Sequence, residues 1–530
     1  MMFEQLSKQP HSNRYESIAD NPFVSVQSAP RSTFSIDVDT ASYGIVRSYI
    51  TRQGRLPPPS AVRLEELINY FEYPRPQQFD TPVDDAGQKV VVDAPFHTQI
   101  ELTRCPWQPK NHLARISVFG KDVDRDQRPP CNLVFLVDVS GSMDQPNKLP
   151  LVRHGLQTLI GQLHGRDRVG IVTYAGNAGV HLPSTSMDDH QRIRSSISQL
   201  VSGGGTNGAA GIQMAYEMAM QHRIPGGINR VILCTDGDFN VGTTNTEELV
   251  AMVSQHSKSG TFLSVFGFGM DNHNDAMMER ISGEGNGTYG FIDTQNESDR
   301  VFRKQCTTTL MTIAKDVKLQ VEFNPAQVAA YRLLGYENRR LADRDFNDDT
   351  KDAGEIGAGH TVTALYELQL QSAVADNVAS LDPLRYQPMD KKNGDEKDIV
   401  EVLDGDEVVN GDASVDQASP TPAVPSAVYG ELMAMKIRYK DPEGENSRVL
   451  LYPVPVPSNA EALGEPSPTT RLAVAAAGFG MLLRRSPHAG RWTMSDVDAH
   501  LQPLIGDAGE ELDPTLKEFQ RMVRRAKRLR

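Results

Sequence analysis

From residue 132 onward the apolar positions fall into two alternating rhythms. Residues 133–137 (Leu-Val-Phe-Leu-Val) form a near-continuous apolar run, the pattern of a strand covered on both faces of a parallel sheet. Helical spacing follows at Leu149, Val152, Leu156, Leu159, Ile160 and Leu163. The theme then repeats. Strands are expected at 169–174, 180–182, 231–234, 262–268 and 289–292, and helices through Ile193, through Ile212, and over 247–256, 276–281 and 299–313. Such alternation predicts an α/β fold, a doubly wound and mostly parallel sheet with right-handed crossovers, over residues 131–315.

The flanks read differently. Residues 1–30 are polar and are expected to be disordered. Residues 31–130 predict a small α+β unit: a strand at 32–38, a helix at 41–51, a proline stop at 57–59, an amphipathic segment at 62–71, and strands at 89–92, 100–104 and 113–119. Residues 316–530 turn to β-rich runs at 317–323, 328–334, 360–370, 434–439 and 449–454, then to helices at 468–485, 494–504 and 515–529. An acidic, Pro/Ser-containing stretch at 371–427 interrupts the strands and reads as a disordered loop. Pairing of strands from before 132 with strands from after 315 would make the α/β domain an insertion into a β-sandwich-like α+β host with a helical tail.

Bulk properties narrow the function classes. A length of 530 residues calls for two or three domains. The net charge of −14 argues against a nucleic-acid partner, which needs a cationic surface. Four cysteines make no disulfide scaffold. A Cys105–Cys131 bridge is allowed but not demanded, Cys234 reads as a core residue, and no CxxC pair points to zinc. The longest apolar run, 472–483, is about half of what spans a bilayer. The first residues lack the basic and apolar regions of a signal peptide, so a cytoplasmic location stays open; a processed or truncated N-terminus would read the same way.

The chemistry concentrates at strand ends. Asp138-Val139-Ser140-Gly141-Ser142 follows the first buried strand, Asp236 follows the strand at 231–234, and Gly203-Gly204-Gly205-Thr206 offers a hydroxyl on a glycine loop. In an open α/β sheet, ligands bind outside the carboxyl ends of the strands, where strand order reverses. Two carboxylates and three hydroxyls are hard oxygen donors, suited to Mg²⁺ (or Mn²⁺ or Ca²⁺) rather than to zinc or copper. With so few anions, a bound ion keeps positive charge and would accept an Asp or Glu carboxylate from a partner. A turn with a helix cap explains a lone DxSxS equally well; three motif parts in order favour the ion.

Residues 137–143, the GGGT loop and the TDG strand end resemble the metal-ion-dependent adhesion site of von Willebrand factor A domains. The resemblance implies that Ser140 and Ser142 bind the metal directly, that Thr206 joins in the ligand-bound state, and that Asp138 and Asp236 act directly or through water. It also implies that movement of the helix at 299–313 tunes affinity. Further stretches, FSIDVDTASY, LPPPSAVRLEELINYF and DFNDDTKDAGEIGAGHTVTALYEL, are similar to a bacterial envelope-associated family with a flanking domain, an A domain and a C-terminal domain of unknown function.

The expected role is therefore metal-dependent protein binding at the cell envelope, without catalysis. An accessory subunit of an AAA-type ATPase or metal chelatase is the alternative, and a metal-dependent hydrolase a third reading. Oligomeric state is not legible. Asp37, Asp39, Thr40 and Ser42 are expected to cap the following helix rather than to bind metal. The acidic run Asp343, Asp345, Asp348, Asp349 and Asp352 lacks the glycine and glutamate of a calcium loop and reads as a solvated turn. The basic end at 521–530 reads as a docked helix with a solvated face.

Overall fold

The computed structural model describes residues 13–36, 39–84, 87–90, 93–124, 128–205, 208–237, 246–270, 273–305, 311–351, 353–371, 430–442, 444–457, 463–505 and 513–530. The N-terminal flank supplies β1 (Val24–Ser25), β2 (Arg31–Ser35), α1 (Ala41–Thr51), α2 (Leu64–Ile68), β3 (Phe96–Arg104) and β4 (His112–Gly120). The A domain follows with β5 (Cys131–Asp138), α3 (Leu149–Ile160), β6 (Arg168–Tyr174), β7 (Ala178–Ser186), α4 (His190–Ser198), α5 (Gly208–Gln221) and β8 (Ile228–Thr235). It closes with α6 (Thr246–Lys258), β9 (Thr261–Phe268), α7 (Asp275–Glu284), β10 (Tyr289–Ile292) and α8 (Gln295–Asp299). The C-terminal part adds β11 (Thr312–Phe323), β12 (Val328–Leu334), β13 (Arg340–Leu341), β14 (Ile356–Gly357), β15 (Thr361–Leu370), β16 (Glu431–Lys440), β17 (Ser447–Pro455), α9 (Pro468–Arg484), α10 (Met494–Leu501) and α11 (Pro514–Leu529).

The A-domain sheet runs in the order β10-β9-β8-β5-β6-β7, all parallel except β7, which pairs antiparallel at one edge. Every residue of β5 is buried, as its unbroken apolar run requires. Alternate residues feed two cores. Val134 and Leu136 pack with α5 and α6, while Leu133, Phe135 and Val137 pack with α3 and α4. Strand order reverses at β5, between β6 and β8, so a crevice opens at the carboxyl ends of β5 and β8.

The two flanks build one host between them. One sheet has the order β1-β12-β15-β4-β3, and the other β13-β2-β11-β16-β17 with β14 on β11. Each mixes strands from both sides of the A domain: β4 pairs β15 over eight residues and β2 pairs β11 over five. Ala114, Ile116 and Val118 of β4 face the core between the sheets, while Leu113 and Phe119 face a helical layer of α2, α9, α10 and α11. The A domain is thus an insertion into a sandwich with helices on its outer face.

Several expectations change. The stretch before Pro30 is ordered from residue 13. There β1 pairs β12, and the buried Asn21 amide donates to the carbonyls of Leu333 and Gly335 at 3.0 and 2.8 Å. Residues 1–12 lie outside the described residues, as does nearly all of the acidic stretch 371–427. Of the helix expected over 299–313, Asp299 ends α8, Arg300–Gln305 form a π-helical segment, 306–310 lie outside the described residues, and Thr312 and Ile313 belong to β11. There Thr312 and Ala314 pair with β14, and the β-branched Thr312 and Ile313 suit a strand. The strand expected at 89–92 is an isolated bridge at Lys89 to Val83, with 91–92 outside the described residues. Helix α1 has no side-chain cap at Thr40: Glu66 of α2 takes the Ser42 N–H at 2.7 Å, and Asp39 instead accepts the Tyr289 N–H at 2.6 Å. The acidic run is partly paired, since Asp349 accepts from Arg438 and Ser447, so it docks on the second sheet. Cys105 and Cys131 are free thiols. Helix α11 docks through Phe519, Met522, Val523 and Ala526, as its spacing indicates.

Host and A domain meet at a charged, buried seam. Gly44 of α1 sits against Phe291 of β10, where a Cβ would lie 2.7 Å from the Phe291 carbonyl oxygen. One turn on, Arg47 pairs with Asp293 just past β10, with Glu297 of α8 at 2.8 Å and with Glu518 of α11 at 2.7 Å. Arg300 pairs with Glu297 at 2.6 Å, and Tyr70 donates to Glu297 at 2.5 Å. Arg63 ahead of α2 makes a second cluster with Asp275 and Glu279 of α7. Among the described residues no helix is long and apolar enough to cross a membrane.

Candidate metal centre

Asp138 closes β5 and is fully buried. Its Oδ1 accepts the Ser140 backbone N–H at 2.9 Å, and its Oδ2 accepts the hydroxyls of Tyr174 and Thr235, each at 3.2 Å. Burial pushes the carboxyl up to about 6 against the pull of the Ser140 hydroxyl and N–H, and the neighbouring Asp236 charge adds to the rise. Tyr174 closes β6 and Thr235 closes β8, so three adjacent strand ends orient one carboxylate. Sequence reading missed both hydroxyls. Thr235 stands next to Asp236, but nothing in the sequence places Tyr174 beside Asp138; the β5–β6 register does that.

The Ser140 and Ser142 hydroxyl oxygens lie 3.0 Å apart. An octahedral ion with ligands at about 2.0–2.1 Å holds neighbouring oxygens about 3.0 Å apart, so the pair has the spacing of adjacent ligands of one Mg²⁺. Ser140 is buried while Gly141 and Ser142 are exposed, which leaves the edge open to an approaching group. The glycine loop is pinned onto the motif: Gly203 N–H donates to Val139 O at 2.7 Å and Gly141 N–H to Gly204 O at 3.1 Å. Gly204 takes φ +90°, a backbone conformation that a side chain would strain. Thr206 itself lies outside the described residues.

Asp236 is 1% exposed, and its Oδ2 is 3.0 Å from the ammonium of Lys148, also 1% exposed. This lysine precedes α3 and was not singled out from the sequence, because nothing in its neighbourhood marks it as buried. Among the described residues no three His, Cys, Asp or Glu side chains converge as a metal cage. The donor set is instead two carboxylates and serine hydroxyls, all oxygen, and it fits a hard divalent ion. Asp138, Asp236, Ser140 and Ser142 are the described residues that would hold one.

A parallel sheet with a DxSxS loop at its switch point, set into a two-sheet host, defines a protein built around a von Willebrand factor type A domain. Residues 132–304 match that domain family, residues 9–115 match a family described as von Willebrand factor, and residues 308–404 and 406–529 match "Uncharacterized protein YfbK, C-terminal". The chain is 38% identical over 514 residues to the uncharacterized protein YfbK of Escherichia coli (strain K12), spanning 97% of this chain and 81% of that one. It belongs to the YfbK family of bacterial proteins. Inter-alpha-trypsin inhibitor heavy chain H4 of Homo sapiens is 29% identical over 272 residues, 48% of this chain and 29% of the relative. Among solved structures, a von Willebrand factor type A protein from Catenulispora acidiphila covers 86% of this chain and 98% of its own at 13% identity, with a TM-score of 0.40. The domain makes the chain a protein-interaction or adhesion module.

Proposed function

We propose that this module binds its partner through a divalent ion, Mg²⁺ in the first place, held by Asp138, Ser140, Ser142 and Asp236, with Thr206 joining from the glycine loop. The ion would supply an electrophilic position for an Asp or Glu side chain of a partner protein. The observation that carries this reading is the 3.0 Å hydroxyl pair on an open edge, backed by two buried carboxylates. Charge is costly in such a low-dielectric setting unless matched: Asp236 has the Lys148 ammonium at 3.0 Å, and a divalent ion would match Asp138. The chain's own residues do the positioning: Tyr174, Thr235 and the Ser140 N–H fix Asp138, and the Gly203–Val139 contact fixes the loop.

The role is binding rather than catalysis. A hydrolytic use of the ion needs a general base within reach of substrate. His273, the imidazole near Asp236, is fully buried, has its Nε2 on the Tyr289 hydroxyl at 2.8 Å, and is held down to about 4 by burial. We place the protein at the cell envelope on the resemblance of its flanking motifs to envelope-associated proteins. The test is capture from a bacterial envelope fraction by the full chain in Mg²⁺ and in EDTA, with Asp138→Ala as control. A partner retained in Mg²⁺ and lost in both other conditions supports the reading; equal capture in all three sinks it.

A further inference from the structure

Lys148 is an unusual neighbour for a cation site. Its ammonium lies 3.0 Å from Asp236 Oδ2 in a pair that is 1% exposed on each side. Its aliphatic stem passes over Gly269, just beyond β9, which has φ +73° and where any Cβ would collide with the Lys148 side chain. A glycine of left-handed backbone thus leaves the lane through which the lysine reaches the edge. A buried ammonium is unfavourable unless paired, so the lysine is held there by its carboxylate and is not a solvated chain caught in passing.

We propose that Lys148 is a fixed counter-cation of the metal centre, cancelling the charge of Asp236 so that a bound divalent ion keeps one unit of positive charge for the partner's carboxylate. The inference rests on the metal-binding reading above and deepens it. Among the described residues at this edge the buried charged groups are Asp138, Asp236 and Lys148; Asp144, on the same turn, is exposed to solvent and accepts the Ser202 hydroxyl at 2.7 Å. Two carboxylates set against a divalent ion and an ammonium leave a single positive charge, which one acidic side chain of a partner neutralises. Without the ammonium, the loaded edge would be neutral: it would hold its ion more tightly and attract a carboxylate less. Lys148 therefore trades metal affinity for selectivity toward an acidic partner. A lysine that served only to orient Asp236 would act in the opposite direction, because its loss would loosen a ligand and weaken the ion.

The test is Mn²⁺ titration of the full chain by calorimetry and by electron paramagnetic resonance. The chains compared are wild type, Lys148→Met, Lys148→Arg and Asp138→Ala. Lys148→Met is expected to bind Mn²⁺ about tenfold more tightly than wild type, since a unit charge a few ångströms from the ion is removed. Lys148→Arg, which keeps the charge, is expected within about threefold of wild type on the same scale. Equal or weaker Mn²⁺ binding by a cooperatively melting Lys148→Met overturns the proposal. If that variant does not fold, Asp236→Asn is compared with the double variant Asp236→Asn/Lys148→Met, which removes both charges of the pair together. Tighter Mn²⁺ in the double variant supports the counter-cation, and no gain overturns it. Wild-type binding that Asp138→Ala abolishes shows that the ion is at this edge, so a failure confined to the lysine variants strikes only the present inference. Mn²⁺ binding by none of the chains overturns the metal reading and this inference together.

Discussion

Arg47 and Lys148 are both buried cations beside buried carboxylates, and their surroundings differ. Arg47 places its guanidinium on Asp293, Glu297, Glu518 and the Tyr70 hydroxyl, and Arg300 brings a second guanidinium to Glu297. Asp293, Glu297 and Glu518 each have a cation against them. At the candidate metal edge, Asp236 has Lys148, while among the described residues Asp138 has hydroxyl and N–H donors and no cation. Burial pushes the carboxyls up at both sites. At Glu297, Arg300 and Arg47 outweigh it and pull the group down to about 2, at Asp293 burial prevails over Arg47 and the group stays raised, and Asp138 is left up at about 6. Matched charge fastens one part of the molecule to another; under-matched charge on an open edge is what a binding site for a cation needs.

The sharpest way to break this contrast is Arg47→Met, which strands Asp293 and leaves Glu297 with Arg300 alone. A loss of about 3–5 kcal/mol in urea unfolding is expected, with no rescue by Mg²⁺. A loss below about 1 kcal/mol would show that the seam is not held by charge. Next comes Gly44→Ala, whose new Cβ meets the Phe291 carbonyl and must push α1 off β10. About 2 kcal/mol of destabilisation is expected by the same measurement, as for other overpacked contacts.

pH separates the two regions more gently. The raised Asp138 favours the folded, metal-free chain at low pH, and that contribution is lost as pH rises from about 4 through about 6. The lowered Glu297 does the reverse: its contribution is present above about 4.5 and is lost as pH falls toward about 2. Melting curves in EDTA between pH 4 and 6 are therefore expected to show stability drifting down with rising pH by about 1–2 kcal/mol, from the metal edge. Saturating Mg²⁺ should remove the share of the drift that comes from this edge, because the ion compensates the charge there, while Glu337, raised to about 7 by burial, keeps its own share. A drift unchanged by Mg²⁺ would assign it elsewhere. Smallest in stability is Asp138→Asn, expected within about 1 kcal/mol of wild type in EDTA, since it removes an under-matched charge and keeps the shape. Its thermal stabilisation by Mg²⁺ should vanish; survival of that shift would remove Asp138 from the ligand set.

Much of the A domain was legible because its signals are local. The apolar run at 133–137, the helical spacing after it and the DxSxS loop each follow from neighbours in the chain, and β5, α3 and the hydroxyl pair appear where those signals stand. Residues whose partners are distant in sequence were harder to read. Thr40 and Ser42 look like a helix cap, yet the cap is Glu66, twenty-four residues on. Asp39 reads as a capping residue and instead holds β10, 250 residues away. The polar stretch before Pro30 looks mobile because its few contacts, such as Asn21 with Leu333 and Gly335, lie more than three hundred residues ahead.

By itself the sequence determined the doubly wound sheet, the oxygen character of the donor set and the strand ends on which it falls, because periodicity and motif spacing act over one or two elements. The interleaving of both flanks in shared sheets was inferred only from element order. Its register, and with it the position of α1 on β10, was set by long-range strand pairing. Tertiary structure alone decided which charges meet: Arg47 with Asp293 and Glu297, and Lys148 with Asp236. The physical reason is that a buried charge takes its energy from whatever the fold brings within a few ångströms, and no pattern of neighbours along the chain specifies that.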